Sequence, residues 1–465
     1  MNITTKRTKT GVSVGVLAAV PLLWAAGAAT VRLWTAEAQQ PPADTWTTPE
    51  AKRLGIRLIE TRDPSGPPAY PVAPGDLLFF TNSGTDYGSK NTKNSVVVID
   101  AKTKKPIAVS DLDPRYVQDY GSHGIGLSPD GKYAYLPNLE AINSTGSKTP
   151  NATLILDARS LKLYQVIASG GTPHHAKAYH DVQGRPRVFI EDWTWNTAAS
   201  DGRAFYVLDP TDNNKVVAGM TAGQVHGGTY TGFTTPDSRY LYYSVPPPFR
   251  GELVQSVNGW LAKIDMQTWT VVQAIPMKRF PLWTVFSKDG RWAWVTSAAE
   301  ETVAKIQRGL KPGERDRVVA EVQTGPGPYG LRLNIDDTEV WVADKGELGP
   351  KNGATITIVD AQTNAVKRTL ATNCIRNDHI VLSPDGAEMW AACNASHEIV
   401  VIDTKTYAIT HRIPMPNGGD SHGGVFVQYG GAAAKVTAEV VSDINGLQGS
   451  ALAAYLKGAA WTPGR

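Results

Sequence analysis

Five of the nine histidines of this chain recur at one place in a repeating pattern. Each lies just before a short apolar strand, and neutral imidazoles held on stiff strands are good ligands for copper, zinc or iron. If the repeat closes into a ring, these side chains converge on its axis. The sequence therefore predicts a transition-metal site built from His123, His174, His226, His379 and His422.

The elements that must position these histidines are short strands that repeat about every 40 to 50 residues. One series of apolar runs closes on an aspartate, as in VVVID at Asp100 and VVID at Asp403. A second series of turn signals, such as Ser383-Pro384-Asp385-Gly386, precedes strands rich in aromatic residues. Four short strands per repeat with almost no helical periodicity are typical of a β-propeller, in which each repeat is one four-stranded blade.

Counting the innermost strands gives seven blades, so we predict an all-β fold, a seven-bladed β-propeller. Three strands, LLFFTNSG, SVVVID and KPIAVSD, precede the first inner strand without an inner partner of their own. We expect the C-terminal inner strand after His422 to join them in one closing blade, which leaves no open sheet edge. The inner strands begin near His123, His174, His226, Trp283, Tyr329, His379 and His422.

Four segments are predicted along the chain. Residues 1–38 are assigned to targeting, residues 39–77 to an extended tether or strap, and residues 78–430 to the propeller. Residues 431–465 form a C-terminal extension, in which AEVVSDI is expected to add a strand and GSALAAYLKGA a short helix.

The first 38 residues predict export. Lys6, Arg7 and Lys9 precede an apolar run over residues 11–31, and Ala36-Glu37-Ala38 offers a cleavage site. The alternative is an uncleaved inner-membrane anchor, since about 20 apolar residues span a bilayer. Either way the protein is expected in the periplasm or outside the cell. Cleavage would leave 42 basic and 42 acidic residues of the original 46 and 43, a balance that argues against nucleic-acid binding.

The chain has two cysteines, and in an exported protein such a pair favours a disulfide. Cys374 precedes the inner strand of the sixth blade, and Cys393 ends the strand expected to pair with it. We therefore predict a Cys374–Cys393 bridge, with two thiols, one of them a soft metal ligand, as the alternative. The absence of a Cys-x-x-Cys-His motif excludes covalently attached haem c.

Other candidate site residues follow from the same end of the strands. Glu191 and Asp192 end the second strand of the second blade, where they could act as acid-base groups or support a metal ligand. Trp283 and Tyr329 occupy the positions where other blades carry histidine, so they are predicted to form an aromatic substrate wall. Because neighbouring strand residues alternate between faces, only one of His174 and His175 is expected to face the axis.

The blade sequences SHGIGLSPDGKYAYLPN, NDHIVLSPDGAEMWAAC and EVWVADK resemble the YVTN/cytochrome-type propellers. That group includes the haem d-one domain of cytochrome nitrite reductases and its biosynthetic relatives. The resemblance implies a tetrapyrrole-binding or maturation protein. In such proteins a histidine at the start of the first blade ligates iron and later ones face the distal side, settings that His123 and His379 match.

The chain departs from that pattern in its additional histidines and in lacking an evident arginine cluster for the macrocycle's carboxylates. The histidine excess is similar to the copper propellers nitrous oxide reductase and thiocyanate dehydrogenase. From the sequence we therefore favour an exported redox protein, an oxidoreductase if it is an enzyme, that binds copper and acts on a small molecule or anion. The alternatives are the haem d-one protein and a scaffold for a partner such as a periplasmic cytochrome, with the histidines in structural roles.

Overall fold

The computed structural model describes residues 45–84, 95–111, 123–137, 152–192, 202–246, 257–311, 313–349 and 351–463. Residues 38–465 form one compact unit. The predicted targeting segment, residues 1–38, lies outside the described residues, as do residues 39–44. No helix within the described ranges is long and apolar enough to cross a membrane.

Seven antiparallel sheets form the blades of a β-propeller, which confirms the predicted fold class. In five blades, consecutive strands along the chain are neighbours in the sheet. Blade 2 contains β9 (Pro173–His180), β10 (Pro186–Asp192), β11 (Arg203–Asp209) and β12 (Lys215–Thr221); blade 3 contains β13 (Gly232–Thr234), β14 (Tyr240–Val245), β15 (Asn258–Asp265) and β16 (Thr270–Arg279); blade 4 contains β17 (Pro281–Phe286), β18 (Trp292–Ser297), β19 (Thr302–Gln307) and β20 (Arg317–Gln323); blade 5 contains β21 (Pro328–Leu333), β22 (Glu339–Asp344), β23 (Thr355–Asp360) and β24 (Val366–Ala371); blade 6 contains β25 (Asn377–Leu382), β26 (Glu388–Cys393), β27 (Glu398–Asp403) and β28 (Ile409–Pro414).

Blade 1 has a fifth strand from the N-terminal segment. Its outer strand pairs with a strand at Arg57–Thr61, so the described part of the predicted tether, residues 45–77, is not simply extended chain. A short helix before that strand packs on blade 2, where Trp46 Nε1 donates to the Asn213 carbonyl at 3.0 Å. These elements are α1 (Pro49–Leu54), β1 (Arg57–Thr61), β5 (Gly126–Leu127), β6 (Tyr133–Pro137), β7 (Ala152–Asp157) and β8 (Leu163–Ala168).

Blade 7 closes the ring as predicted, because a C-terminal strand pairs with the first of three N-terminal strands. Leu78 lies opposite Val427 in this pairing. The sheet then continues beyond the C-terminal strand, so the predicted propeller boundary at residue 430 is too early. The strands are β2 (Leu77–Ser83), β3 (Ser95–Asp100), β4 (Lys105–Val109), β29 (Val425–Ala432), β30 (Lys435–Asp443) and β31 (Gly446–Leu447), in the order β31-β30-β29-β2-β3-β4.

The C-terminal extension crosses the centre of the propeller. The Ser442 hydroxyl donates to the Leu382 carbonyl of blade 6 at 2.6 Å, and Arg332 Nη2 of blade 5 donates to the Asp443 carbonyl at 2.8 Å. The Ala178 N–H of blade 2 donates to Asp443 Oδ2 at 3.2 Å. One strand therefore ties three blades together, and the expected short helix follows it as α3 (Gly449–Leu456).

Both repeated sequence signals form turns that satisfy backbone donors. In blade 6 the Ser383 hydroxyl donates to Asp385 Oδ1 at 2.6 Å and accepts from the Glu388 N–H at 2.9 Å. At the end of β27, Asp403 Oδ1 accepts from the Thr406 N–H at 2.7 Å. Short polar side chains that bond nearby backbone favour such turns over continued strand.

A β-bulge recurs where the inner strands begin. In blade 2, Pro173 pairs with Asp192 and Ala176 with Ile190, so His174 and His175 both lie opposite one residue of β10. The same two-against-one register occurs at the start of β17, β21 and β25. A bulge re-aims the side chains beside it, and here it lies at the end of the strands that carries the histidines.

Candidate functional site

Five imidazoles come together at the mouth of the propeller. The ring centroids of His174 and His175 are 3.7 Å apart, those of His123 and His422 are 4.1 Å apart, and those of His123 and His174 are 4.5 Å apart. All five rings are buried, and His123, at 6 % exposure, is the most accessible. We call this set the histidine cluster; its members are His123, His174, His175, His379 and His422.

The cluster contains two groups of three side chains whose ligand atoms all lie within 4.8 Å of one another. His123, His174 and His175 form one group, and His123, Asp378 and His422 form the other. His123 belongs to both groups. This spacing is compatible with metal ligation because several nitrogen and oxygen donors face a common point.

The structure does not bring His226 into the cluster, so that part of the predicted arc is wrong. His226 is exposed and ends a short helix, α2 (Ala222–Val225), in the left-handed conformation with φ 66°. The corresponding place in blade 3 is taken by Tyr230, whose ring lies 4.7 Å from that of His174. The sequence carried a signal of this, because His226 stands about four residues further upstream of its strand than the other histidines.

The expectation that only one of His174 and His175 faces the axis is also wrong. The bulge in β9 suspends the usual alternation, so both rings join the cluster. His175 Nδ1 lies 2.7 Å from Glu191 Oε2, directly across the bulge. Such a contact fixes which ring nitrogen carries the proton and turns the other, Nε2, toward the cluster.

Glu191 is held by its surroundings rather than exposed for chemistry. Its carboxylate accepts from the ammonium group of Lys177, from the Thr231 hydroxyl at 3.0 Å and from the Gly232 N–H at 2.7 Å. Burial raises the pKa of Glu191 and lowers the pKa of Lys177 to about 8, while their attraction opposes both shifts. Of its two predicted roles, the contacts therefore fit a residue that positions His175.

Asp192 lies away from the histidine cluster. Its Oδ1 accepts from the Ser169 hydroxyl at 3.0 Å, and burial raises its pKa to about 7. Nothing in the described part of the chain joins Asp192 to an imidazole. The structure therefore separates the two carboxylates that the sequence analysis had grouped.

A second carboxylate, which the sequence analysis did not single out, supports the other side of the cluster. Asp378 Oδ2 lies 3.0 Å from His422 Nδ1 and 3.5 Å from Lys345 Nζ, and Asp378 Oδ1 lies 3.5 Å from His379 Nε2. Burial by itself would raise the pKa of Asp378, but its interactions with His379, the Lys345 ammonium group and His422 hold it well below the usual range. Asp378 is therefore an anion at the base of the cluster, and its place beside His379 in the sequence was the available signal.

Within the described residues, His123 Nδ1 and His175 Nε2 have no hydrogen-bond partner. Burial lowers the pKa of both rings well below the ordinary histidine value, as it does for His174. The rings are therefore neutral near pH 7. A buried polar atom without a partner is costly, and coordination of a metal ion would satisfy it.

Trp283 and Tyr329 lie beside the histidines as predicted, but both are fully buried. The Trp283 ring centroid is 4.4 Å from that of His379, and the Tyr329 hydroxyl is 3.5 Å from His123 Nε2. Tyr329 also shares a hydrogen bond with the Tyr230 hydroxyl. These aromatic residues enclose the cluster and exclude water from that side.

The predicted disulfide is present between Cys374 and Cys393, with Cα atoms 5.5 Å apart. Asn377 pairs with Cys393 at the start of β25. The bridge therefore ties down the loop that leads into the strand carrying Asp378 and His379.

The chain matches the family model described as "Cytochrome D1 heme domain" over residues 117–426. No curated protein sequence matches the chain significantly. Among solved structures it is similar to dihydro-heme d1 dehydrogenase NirN in complex with DHE, at 18 % identity and a TM-score of 0.52 over 82 % of each chain. It is also similar to the periplasmic gluconolactonase PpgL of Pseudomonas aeruginosa, at 18 % identity and a TM-score of 0.55 over 75 % of this chain and 99 % of that one.

Hydrazine synthase of Kuenenia stuttgartiensis is a third similar structure, at 18 % identity and a TM-score of 0.50 over 67 % of this chain and 90 % of that one. At such identities the solved structures show the shared propeller fold alone. The family match covers the blades that carry all five cluster histidines. It supports the resemblance to haem d-one propellers and gives no support to copper.

Proposed function

Because the chain belongs to the cytochrome D1 haem domain family, we propose that it binds a haem d-one-type tetrapyrrole at the mouth of the propeller, as a binding or maturation protein. The observation that carries this proposal is the position of His123 at the start of the first blade inside the matched region. His123 is the proposed axial ligand, and His379 is the second histidine of the site. NirN, described as a dihydro-heme d1 dehydrogenase in complex with DHE, has a similar fold.

The donors of the site fit an iron-bearing tetrapyrrole in one respect. Axial ligation needs one neutral imidazole nitrogen, and His123 Nδ1 is buried without a partner in the described part of the chain. Burial lowers the pKa of His123, which keeps the ring neutral near pH 7 and leaves one of its two nitrogens unprotonated. An iron tetrapyrrole would supply electron-transfer chemistry there, while Tyr329 and Trp283 exclude water from the inner side.

The surroundings of His123 fit the group less closely. The rings of His422 and His174 lie only 4.1 and 4.5 Å from His123, so the cluster itself holds no slot of macrocycle width. The cations nearest the cluster, Lys177 and Lys345, already contact Glu191 and Asp378. Recognition of the macrocycle's carboxylates would therefore need a source of charge other than these two lysines.

A second candidate is a metal ion, copper by preference, held directly by the histidine cluster. The specific observation in its favour is the pair of three-donor groups within 4.8 Å. The cluster has more imidazoles than the four ligands that one zinc ion binds, whereas copper centres bind imidazole readily. In this case Glu191 and Asp378 would orient the ligand rings, and His175 would matter as much as His123.

The setting of the protein is part of the same proposal. We propose that the chain is exported to the periplasm, by a cleaved leader or with an uncleaved anchor. A small molecule or anion would be its substrate if it catalyses a reaction, and a periplasmic cytochrome would be its electron partner. The third alternative, a non-catalytic scaffold, would use the propeller face without any bound redox group.

Titration of the purified full chain separates these functions. Haem d-one and Cu²⁺ would be added separately to the wild type and to His123→Ala, His175→Ala and His411→Ala, followed by visible absorption and calorimetry. His411 is exposed on β28 and serves as the matched control. For the tetrapyrrole, we expect saturable binding that is lost in His123→Ala and retained in the other two variants.

The copper function predicts a different pattern. Cu²⁺ would bind stoichiometrically and would be weakened by His123→Ala and His175→Ala alike. If neither haem d-one nor Cu²⁺ binds the wild type, both proposals are wrong and the scaffold alternative gains support.

A further inference from the structure

A cavity of about 460 Å³ lies at the end of the propeller opposite the histidine cluster. Its walls are the turns that follow the inner strands, and α3 with the residues before it forms one side. The inner strands run from the cluster to this end, so the cavity and the cluster are separated by the length of a strand. Representative lining residues are Val182, Phe286, Arg332, Leu333, Leu382 and Leu452.

Arg332 is the unusual member of this lining. Its side chain is 2 % exposed, although arginine is almost never fully buried unless it is paired. Nη1 and Nη2 donate to the carbonyl oxygens of Leu331 and Asp443 at 3.3 and 2.8 Å. Among the described residues, Nε has no hydrogen-bond partner. The two bonded nitrogens meet neutral carbonyl oxygens, and burial lowers the pKa of Arg332 to about 10, a shift that the attraction of the Asp443 carboxylate opposes only in part.

Several of the other polar groups around the cavity are already engaged. The Asn445 side-chain amide donates to the Thr234 hydroxyl at 2.7 Å, and the Tyr455 hydroxyl donates to Asp337. Asp181, on an exposed turn, pairs with Arg185 at 2.7 Å. Asp443 lies close to Arg332, but its carboxylate accepts from the N–H groups of Ala178 and Asn445 instead. Arg332 is therefore a buried cation of this lining that retains an unused donor, Nε, among the described residues.

We propose that this cavity binds a small carboxylate with an apolar body, with its carboxylate on Arg332. Burial of a cation is costly, and Asp443 offsets this cost only in part. A ligand carboxylate would add charge-assisted hydrogen bonds to the guanidinium. The apolar body would lie against Phe286, Leu333 and Leu452. The cavity volume is in the range of small-molecule sites. This site is independent of the histidine cluster and of the function proposed for it.

The probe is decanoate, with decan-1-ol as its uncharged counterpart, titrated into the purified full chain by calorimetry. We expect decanoate to bind at one site with a Kd below about 100 µM and decan-1-ol to bind at least tenfold more weakly. Arg332→Gln should remove this preference for the carboxylate. Because that variant also disturbs two backbone contacts, its fold would be checked by circular dichroism.

A second variant leaves Arg332 in place. Leu452→Trp should fill the cavity and weaken both probes, whereas Leu310→Trp, on a surface loop at 53 % exposure, should change neither. His123→Ala should also leave decanoate binding unchanged, which separates this proposal from the function of the cluster. Equal affinity for decanoate and decan-1-ol, or undiminished binding to Leu452→Trp, would overturn the proposal. The proposal would also be wrong if decanoate did not bind because a second copy of the chain covers the cavity in solution.

Discussion

Blades 2 and 4 begin with the same backbone irregularity but present opposite chemistry. In blade 2 the bulged pair His174 and His175 faces Glu191 of the neighbouring strand. In blade 4 the bulged pair Leu282 and Trp283 faces Thr296, whose hydroxyl accepts from the backbone N–H of Trp283 at 3.0 Å. The backbone device is therefore general, and the side chains placed on it decide whether a blade contributes ligands or packing.

The two blades also differ in the charged residues that surround the bulged pair. Blade 2 supplies a carboxylate across from its histidines and a lysine that holds this carboxylate in turn. Blade 6 supplies Asp378 from the bulge itself. Among the described residues blade 4 supplies neither a carboxylate nor a lysine at this place. The Trp283 ring instead packs against other rings, such as that of Phe233 at 4.7 Å. We call the histidines and carboxylates of blades 2 and 6 the polar half of the mouth, and Trp283 with its neighbouring rings the aromatic half. The stability of the polar half should depend on pH, whereas that of the aromatic half should depend on the loss of side-chain volume.

The largest expected effect is that of pH on the metal-free protein. Burial lowers the pKa of four cluster histidines, that of His379 to about 3. Below about pH 6.5 each of these imidazoles therefore takes up a proton in the unfolded chain but not in the folded chain. Buried carboxyls with a raised pKa, such as Asp192 at about 7, act in the opposite direction. Each imidazole that stays neutral in the fold should cost roughly 2 kcal/mol of stability between pH 7 and pH 5.

Denaturant unfolding at pH 7 and pH 5 measures this cost. A smaller loss of stability between pH 7 and pH 5 in His379→Gln would assign this pH dependence to the cluster, whereas His411→Gln should behave as the wild type. The same change in the free energy of unfolding between pH 7 and pH 5 in the wild type and in His379→Gln would contradict the role assigned to the buried imidazoles.

The aromatic half should respond to truncation instead. Trp283→Ala removes a fully buried ring, which typically costs about 3 to 5 kcal/mol of stability. Leu310→Ala on the surface is the control, with little change expected. An unaltered unfolding curve combined with weakened ligand binding would restore the interpretation of Trp283 as an accessible substrate wall.

The disulfide is a smaller contribution that distinguishes blade 6 from blade 4. Its cysteines are 19 residues apart in sequence, and closing a loop of this length in the unfolded chain is worth about 3 kcal/mol. The double variant Cys374→Ser, Cys393→Ser should lose about this much in denaturant unfolding. Two thiols that label rapidly in the native, unreduced protein would show that the bridge is absent.

The smallest effect concerns the residue opposite the bulge. Glu191→Gln should weaken Cu²⁺ binding by the cluster about 10- to 100-fold, because His175 loses the carboxylate that orients it. Thr296→Val, at the matching position of blade 4, should leave Cu²⁺ affinity unchanged. Equal affinities in the wild type and Glu191→Gln would remove His175 from the ligand set.

The fold was predictable because propeller signals repeat along the chain. The turn at Ser383 to Gly386 recurs in other blades, and so does the strand ending in aspartate at Asp403, so one misread repeat does not change the total. The closing blade followed from counting strands that lacked partners. AEVVSDI was expected to add a strand, but no repeat showed that this strand, β30, would pair with β29 and extend the closing blade past residue 430.

The site was less predictable because it depends on single-residue register. His226 fits the histidine repeat in composition but lies one helical turn too early, and Tyr230 takes its place. His175 was expected to face away because strand alternation holds only where no bulge intervenes. Asp378 was overlooked because a carboxylate beside a histidine is common, and only the closed ring brings it to His422 at 3.0 Å.

The most direct test of the central claim is the visible spectrum, with iron and copper analysis, of the full chain purified from its native host. The account predicts one iron per chain with the red-shifted bands of a haem d-one-type tetrapyrrole, lost in His123→Ala and retained in His411→Ala. Stoichiometric copper without such bands would transfer the site to the second candidate. A colourless wild-type protein that contains neither metal would contradict the claim that the histidine cluster holds a redox group.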